Sequence, residues 1–197
     1  TWALSAFVTG TIIQEFWKGV GARRKMYGEN PVIALGRLVA RNRRRYGGYV
    51  VHAGIVMLFA AFAGMAFKLE YDITLADGQS YTAKDPYGRE WTFTNEGLSE
   101  FKALNREVVA IALRPTVNGK KLDLITSEKR QHFDSRGNPT FQPSTEVGIL
   151  ARNDMDVYLV LAGVVQNKAE IRVNFNPLVV WVWHGGTLMA LGGLIVM

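Results

Sequence analysis

The sequence predicts a membrane protein of the α+β class, with transmembrane helices flanking a small extracytoplasmic antiparallel β domain of sandwich- or barrel-like form. Three observations predict it. A charge-free run, Tyr46 to Phe67, follows directly on a burst of arginines at 41 and 43–45. A second apolar run, 176–197, closes the chain. Between them, residues 68–175 lose helical periodicity and show short β-type runs separated by turn signals.

Charge supports the same partition. Residues 1–45 carry nine Lys/Arg against Glu15 and Glu29, residues 46–67 carry no fixed charge, and residues 68–175 carry 14 basic and 15 acidic side chains. The whole positive excess of +6 therefore lies beside an apolar run. That is the positive-inside pattern, and it places residues 18–45 in the cytoplasm. A nucleic-acid partner is not expected, because the basic stretch abuts a span and carries no binding motif. The chain has no cysteine, which excludes a disulfide, a thiolate nucleophile and a Cys-type zinc site. It begins with Thr1 and ends inside an apolar run at Met197, so a piece of a longer protein is expected.

Residues 1–17 read as the end of a transmembrane helix, since Thr1 to Gln14 are uncharged but cover only about 21 Å. Residues 18–45 read as a basic cytoplasmic segment with an amphipathic helix. Asn30-Pro31 is a cap-plus-proline start, and Val32, Leu35, Leu38 and Val39 share one face. This helix is expected either to lie on the inner membrane surface and attract anionic lipid, or to serve as a solvated connector. Residues 46–67 form a transmembrane helix of about 33 Å, the thickness of a bilayer's hydrocarbon core.

In the β-rich domain, 68–175, Leu69 to Leu75 reads as a strand closed by Asp77-Gly78, and Trp91 to Thr94 as a shorter one. Arg106 to Val117 follows, then Asn118-Gly119, a strong hairpin signal. Lys121 to Thr126 returns, and Ser135 to Pro139 is a loop. Thr145 to Ala151 and Val157 to Leu161 flank a hairpin at Asn153-Asp154, and Ala169 to Phe175 is the last strand. Asn176-Pro177 repeats the cap-plus-proline start, opening a transmembrane helix over 176–197. Trp181 and Trp183 suit an aromatic belt near its outer end, and Gly185, Gly186, Gly192 and Gly193 a smooth packing face.

His52 is the one ionisable side chain of consequence within 46–67. An imidazole at that depth is costly without a partner and marks a functional site; imidazole in apolar surroundings is a common haem-iron ligand. Gly48, Tyr49, Ile55, Val56 and Phe59 surround it at helical spacing and could form a haem wall. The alternative is a histidine hydrogen-bonded to a neighbouring helix. His184 lies in the closing span, and two spans of opposite direction would set it and His52 more than roughly 10 Å apart in depth. A shared iron is therefore not expected, and His184 reads as interfacial or as part of an outward-facing pocket. His132, in the charged EKRQHFDSRG stretch, reads as a solvated loop histidine.

Several blocks together resemble the C-terminal part of the CcmF/NrfE-type cytochrome c maturation proteins, the haem lyase subunits. They are IIQEFWKG with the following ARR, NRRRYGGYVVHAGIV, LITSEKR, STEVGIL, DMDVYLVLAG and FNPLVVWVWHGGTLMALGG. The second and last are the specific ones. The resemblance implies a multi-pass protein of the bacterial inner membrane, with residues 68–175 periplasmic. It implies an enzyme, a lyase that joins haem vinyl groups to the CXXCH thiols of apocytochrome c. It also implies His52 as an axial ligand of a membrane haem b, with the second axial ligand outside this chain and the haem b donating electrons to the substrate haem. No catalytic residue is assigned. Implied partners are apocytochrome c, the haem-chaperone and thiol-reducing subunits of the maturation system, and the lipid bilayer. Two other functions share His52 or the β domain: a bis-His membrane cytochrome b of electron transfer, and a non-enzymatic assembly scaffold.

Overall fold

A computed structural model describes all residues, Thr1–Met197, as two compact units: 1–66 with 178–197, and 67–177.

The first unit is helical. Helix α1, Trp2–Tyr27, runs unbroken from the apolar stretch through the basic one. Residue 17 is thus no boundary, because the Lys and Arg that follow are good helix formers. The helix stops at Gly28, whose φ of 64° is a left-handed cap, its N–H donating to the Arg24 carbonyl at 3.0 Å. In the turn, Glu29 accepts from Arg23 (3.1 Å) and Arg37 (2.6 Å). The Arg23 hydrogen bond, aided by Arg37 and opposed by desolvation, holds the Glu29 carboxyl below its usual range.

Helix α2, Pro31–Arg41, starts as its sequence predicts: Asn30 Oδ1 accepts from the Val32 N–H at 3.0 Å. Ala34 and Leu38 are its buried residues. Leu38 seats on Gly19 of α1, where a Cβ would stand 2.6 Å from Leu38 Cδ2. Helix α3, Arg43–Gly64, continues through a 3₁₀ turn, Met65–Phe67. Those 25 residues are long and apolar enough to cross a membrane. Helix α4, Val180–Val196, has 17 residues and falls short of the usual spanning length.

Helices α3 and α4 run antiparallel along a glycine seam. A Cβ on Gly47 would lie 2.9 Å from the Gly192 carbonyl oxygen, and one on Gly54 2.6 Å from that of Gly185. The backbones touch because neither side carries a side chain there. The smooth face predicted for the closing span is therefore half the expected set: a Cβ on Gly186 or Gly193 would meet nothing within 4 Å.

The second unit is antiparallel β. Its strands are β1 (Leu69–Leu75), β2 (Ser80–Lys84), β3 (Glu90–Ala103), β4 (Arg106–Val117), β5 (Lys120–Lys121), β6 (Ile125–His132), β7 (Ser144–Glu146), β8 (Gly148–Leu150), β9 (Met155–Val165) and β10 (Lys168–Pro177). One sheet has the order β1-β10-β9-β8; the other has β2-β3-β4-β6-β7, with β5 also on β4. The chain links the sheets at both edges, from β1 to β2 and from β7 to β8, which gives a flattened, barrel-like sandwich. At the second crossing only Val147 separates the strands. A Cβ on Gly148 would stand 2.5 Å from the Thr126 carbonyl oxygen, so only glycine passes there. Ser127 Oγ ties the sheets, donating to the Glu146 carbonyl (2.8 Å) and accepting from the Leu161 N–H (3.0 Å).

Several expectations need correction. Asn176 and Pro177 do not cap a helix: they end β10, where they pair with Asp156 and Met155. A proline at a strand's end gives up little ladder bonding, so the motif serves either role. The short run at Trp91 extends into a 14-residue strand, β3, and β2 has no counterpart among the expected strands. The stretch 144–150 is divided between the two sheets instead of forming one strand.

Trp91, Phe93 and Phe175 meet at 5.7–6.1 Å between ring centroids at the centre of the β core. Ile111, Leu113, Leu159 and Ile171 surround them. Each such side chain contributes about 1.5–3 kcal/mol on full burial. Asp85 anchors the β2–β3 turn. Its side chain, fully buried, accepts from Trp91 Nε1 (2.9 Å), Arg89 Nε (2.6 Å) and the N–H groups of Tyr87 and Arg89 (2.9 Å each). Burial alone would raise this carboxyl, but the four hydrogen bonds outweigh it and hold it below the usual range.

Candidate functional site

His52 lies midway along α3, two positions from the contact glycine Gly54. Two helical steps place it about 160° around the helix from Gly54, and it is one step, about 100°, from Val51, which meets Gly192 of α4. The imidazole is exposed on that free face. Its Nδ1 lies 2.8 Å from the Gly48 carbonyl oxygen, one turn back. A carbonyl only accepts, so Nδ1 is the donor in this contact, an arrangement that leaves Nε2 as the nitrogen able to offer a lone pair. Gly48 presents no side chain beside the ring, and a Cβ there would meet nothing within 4 Å. An axial haem ligand needs a fixed tautomer, an accessible lone pair and open space on its approach. His52 fits all three requirements. The alternative reading, a hydrogen bond to a neighbouring helix, is not what the ring makes: its bond is to the backbone of its own helix.

Helix α3 is held in place from two sides. On the α4 side the glycine seam fixes its level. On the α1 side, Glu15 accepts from Arg45 and from the Tyr49 hydroxyl (3.3 Å). Phe16 packs on Tyr46 at 5.0 Å and on Tyr49 at 6.2 Å. A Cβ on Gly19 would stand 2.5 Å from the Tyr46 hydroxyl, so this glycine admits the ring. Tyr49 is one turn before His52, and the network therefore positions the helix turn that supplies the ligand. The sequence held a signal for it: within residues 1–45 Glu15 and Glu29 are the only acids among nine bases, and each is consumed in an ion pair.

The other two histidines fall elsewhere. The seam pairs Gly54 with Gly185, and His184 is the residue before Gly185. His184 and His52 thus differ in level by only about 4.5 Å along the helix axes, where a separation of more than roughly 10 Å is expected. The cause is register: with Gly185 level with Gly54, α4 begins about 7.5 Å short of the end of α3. No hydrogen bond joins them, and neither imidazole points into the seam. His132 is half-buried at the end of β6, paired with Arg106 of β4, and not in a loop as expected. Its carbonyl accepts from the Thr140 N–H at 3.0 Å.

No family model matches the chain. Curated relatives do. The cytochrome c-type biogenesis protein CcmF of Pseudomonas fluorescens is 32% identical over 157 residues, 78% of this chain. CcmF of Escherichia coli K12 is 26% identical over 152 residues, 76% of this chain, and NrfE of Haemophilus influenzae is 31% identical over 153. Among solved structures, the cytochrome c haem lyase CcmF superposes with a TM-score of 0.65 over 95% of this chain and 34% of that one. At 20% identity this match shows the fold. The chain spans 22% of the length of each of these three curated relatives. It belongs to the family of the cytochrome c-type biogenesis proteins CcmF, CycK and NrfE, as a portion that fits their C-terminal part.

Proposed function

We propose that this chain is part of a membrane haem lyase for cytochrome c biogenesis, and that His52 is an axial ligand of a haem b held within the membrane. The observation that carries the ligand role is the Nδ1–H···O=C bond to Gly48, which fixes the tautomer and leaves Nε2 free on an exposed helix face. The relatives' names support cytochrome c biogenesis. When bound, haem b would supply one-electron transfer to the substrate haem. The chain's own share is positional. Gly48 orients the ring, and the Glu15–Arg45–Tyr49 network and the α4 seam fix the turn that carries it. The second axial ligand would come from outside this chain.

The lyase step adds a thiol S–H of apocytochrome c across each haem vinyl C=C. A sulfur–carbon bond forms, and the hydrogen ends on the neighbouring carbon. The nucleophile arrives with the substrate, so a chain without cysteine suits the reaction. In this reading α3 crosses a bacterial inner membrane as one of several passes, α1 and α4 contribute to others, and the β domain is periplasmic. The domain faces apocytochrome c and the haem-chaperone and thiol-reducing subunits.

His52→Ala in the whole protein should lower b-type haem measured by pyridine haemochrome. Equal haem in wild type and variant would refute the ligand role. A reporter fused at Asn118 should be active outside the cytoplasm and one at Gly28 only inside; the reverse pattern would overturn the orientation.

A further inference from the structure

Helices α1 and α2 enclose an open groove of ≈ 970 Å³, away from His52. Its floor is apolar: Ile13 and Trp17 come from α1, Val32 and Leu35 from α2. These are large side chains left in the open, Trp17 at 80% and Val32 at 76% exposure. Arg24 and Lys25 line one end, and neither makes an ion pair within the chain. Glu29 is the one acid in the lining, and Arg23 and Arg37 already compensate it.

The polarity is graded. Ile13, Trp17 and Arg24 fall at four- and seven-residue steps, on one stripe of α1. The stripe passes from aliphatic through indole to guanidinium over about 16 Å. A tryptophan between apolar and charged residues is the ordering found at a membrane–water boundary. A protein segment would need matching polar groups along its length. Here all the unpaired charge is positive and at one end.

We infer that this groove binds an anionic phospholipid, with an acyl chain on Ile13, Trp17, Val32 and Leu35 and the phosphate at Arg24 and Lys25. The inference rests on the membrane placement proposed above but not on haem. Helix α2 then forms one wall of a lipid site at the cytoplasmic boundary, beside the helix that carries His52.

The test uses the purified whole protein in vesicles of phosphatidylcholine doped with a phosphatidylglycerol bearing a photoactivatable acyl chain. Adducts are mapped by peptide mass spectrometry. They should fall on residues 12–35 and be much weaker with the matching phosphatidylcholine probe. Arg24→Gln/Lys25→Gln should reduce them roughly thirtyfold, the loss expected for two basic residues at an anionic surface. Arg43→Gln/Arg44→Gln removes the same charge outside the groove and should retain them. Equal loss in both double variants, no headgroup preference, or a Val32→Cys crosslink to another part of the polypeptide would each overturn the proposal. The reporter at Gly28 separates the failures. If it is active only inside and adducts are absent, the groove reading alone is wrong; if it is active outside, the placement beneath both readings is wrong.

Discussion

Gly185→Ala and Gly186→Ala are one chemical change at neighbouring positions of α4, and the structure predicts opposite outcomes. A Cβ on residue 185 would stand 2.7 Å from the Gly54 carbonyl oxygen and 3.2 Å from Leu58 Cγ and Met57 Cβ. The carbonyl is fixed within α3, so relief requires α3 and α4 to separate by about half an ångström or more. A gap of that size forfeits roughly a quarter to a half of each contact's attraction along the seam. Overpacking of this kind costs about 1–3 kcal/mol, or some 5- to 150-fold in the folding equilibrium. At residue 186 the new methyl meets nothing within 4 Å, and alanine's helix propensity gains about 1 kcal/mol. That propensity gain is common to both variants and cancels between them. Thermal denaturation of the purified protein in detergent should therefore rank Gly186→Ala at or above wild type, with Gly185→Ala below Gly186→Ala by the full overpacking cost. Since α3 carries His52, the ligand role proposed for it also predicts that Gly185→Ala lowers bound b-type haem. Equal melting temperatures for the two variants would refute the seam.

Asp85→Ala strips the acceptor from Trp91 Nε1 and the Arg89 guanidinium in a buried turn, and should cost about 2–4 kcal/mol, read as faster hydrogen exchange in β2 and β3. The native Asp85 carboxyl is held low, so its stabilisation is complete above about pH 4, the unfolded value, and is lost as pH falls below it; the variant should lack that acid step. Asp156 behaves oppositely. Burial raises its carboxyl, outweighing the Arg152 N–H bond, so its charge subtracts stability at neutral pH, and the penalty is lost as pH falls through the raised folded value towards about pH 4, the unfolded one. Asp156→Asn should raise the melting temperature at pH 7 and leave it unchanged near pH 4. Asn30→Ala removes the α2 cap and should cost about 1 kcal/mol, seen as faster amide exchange in the first turn of α2.

Much of this protein is written in local chemistry. Asn30-Pro31 starts α2 because an amide oxygen and a fixed φ satisfy a helix end within three residues. Asn118 and Gly119, with φ of 50° and 74°, make the predicted hairpin, and β4 spans the predicted Arg106–Val117. His52 is legible as a candidate because it is the lone imidazole in an apolar helix. Its tautomer is not, since that depends on the Gly48 carbonyl meeting the ring in one rotamer. Strand β2 escapes a reading of the sequence because Ser80–Lys84 is largely exposed and lacks an apolar alternation; its pairing with β3 defines it.

The sequence by itself determined the partition into a basic helical segment, an apolar helix bearing His52 and a β-rich domain, because charge, periodicity and turn propensity act over a few residues. Tertiary structure decided what depends on register between distant segments. It chose Gly54 with Gly185 and Gly47 with Gly192 as the touching glycines, which set His184 near the level of His52. It assigned Pro177 to a strand, split 144–150 between two sheets, and brought Glu15 to Arg45 across thirty positions of sequence. Each of these is fixed by how surfaces fit in three dimensions, and no single stretch of residues carries that information.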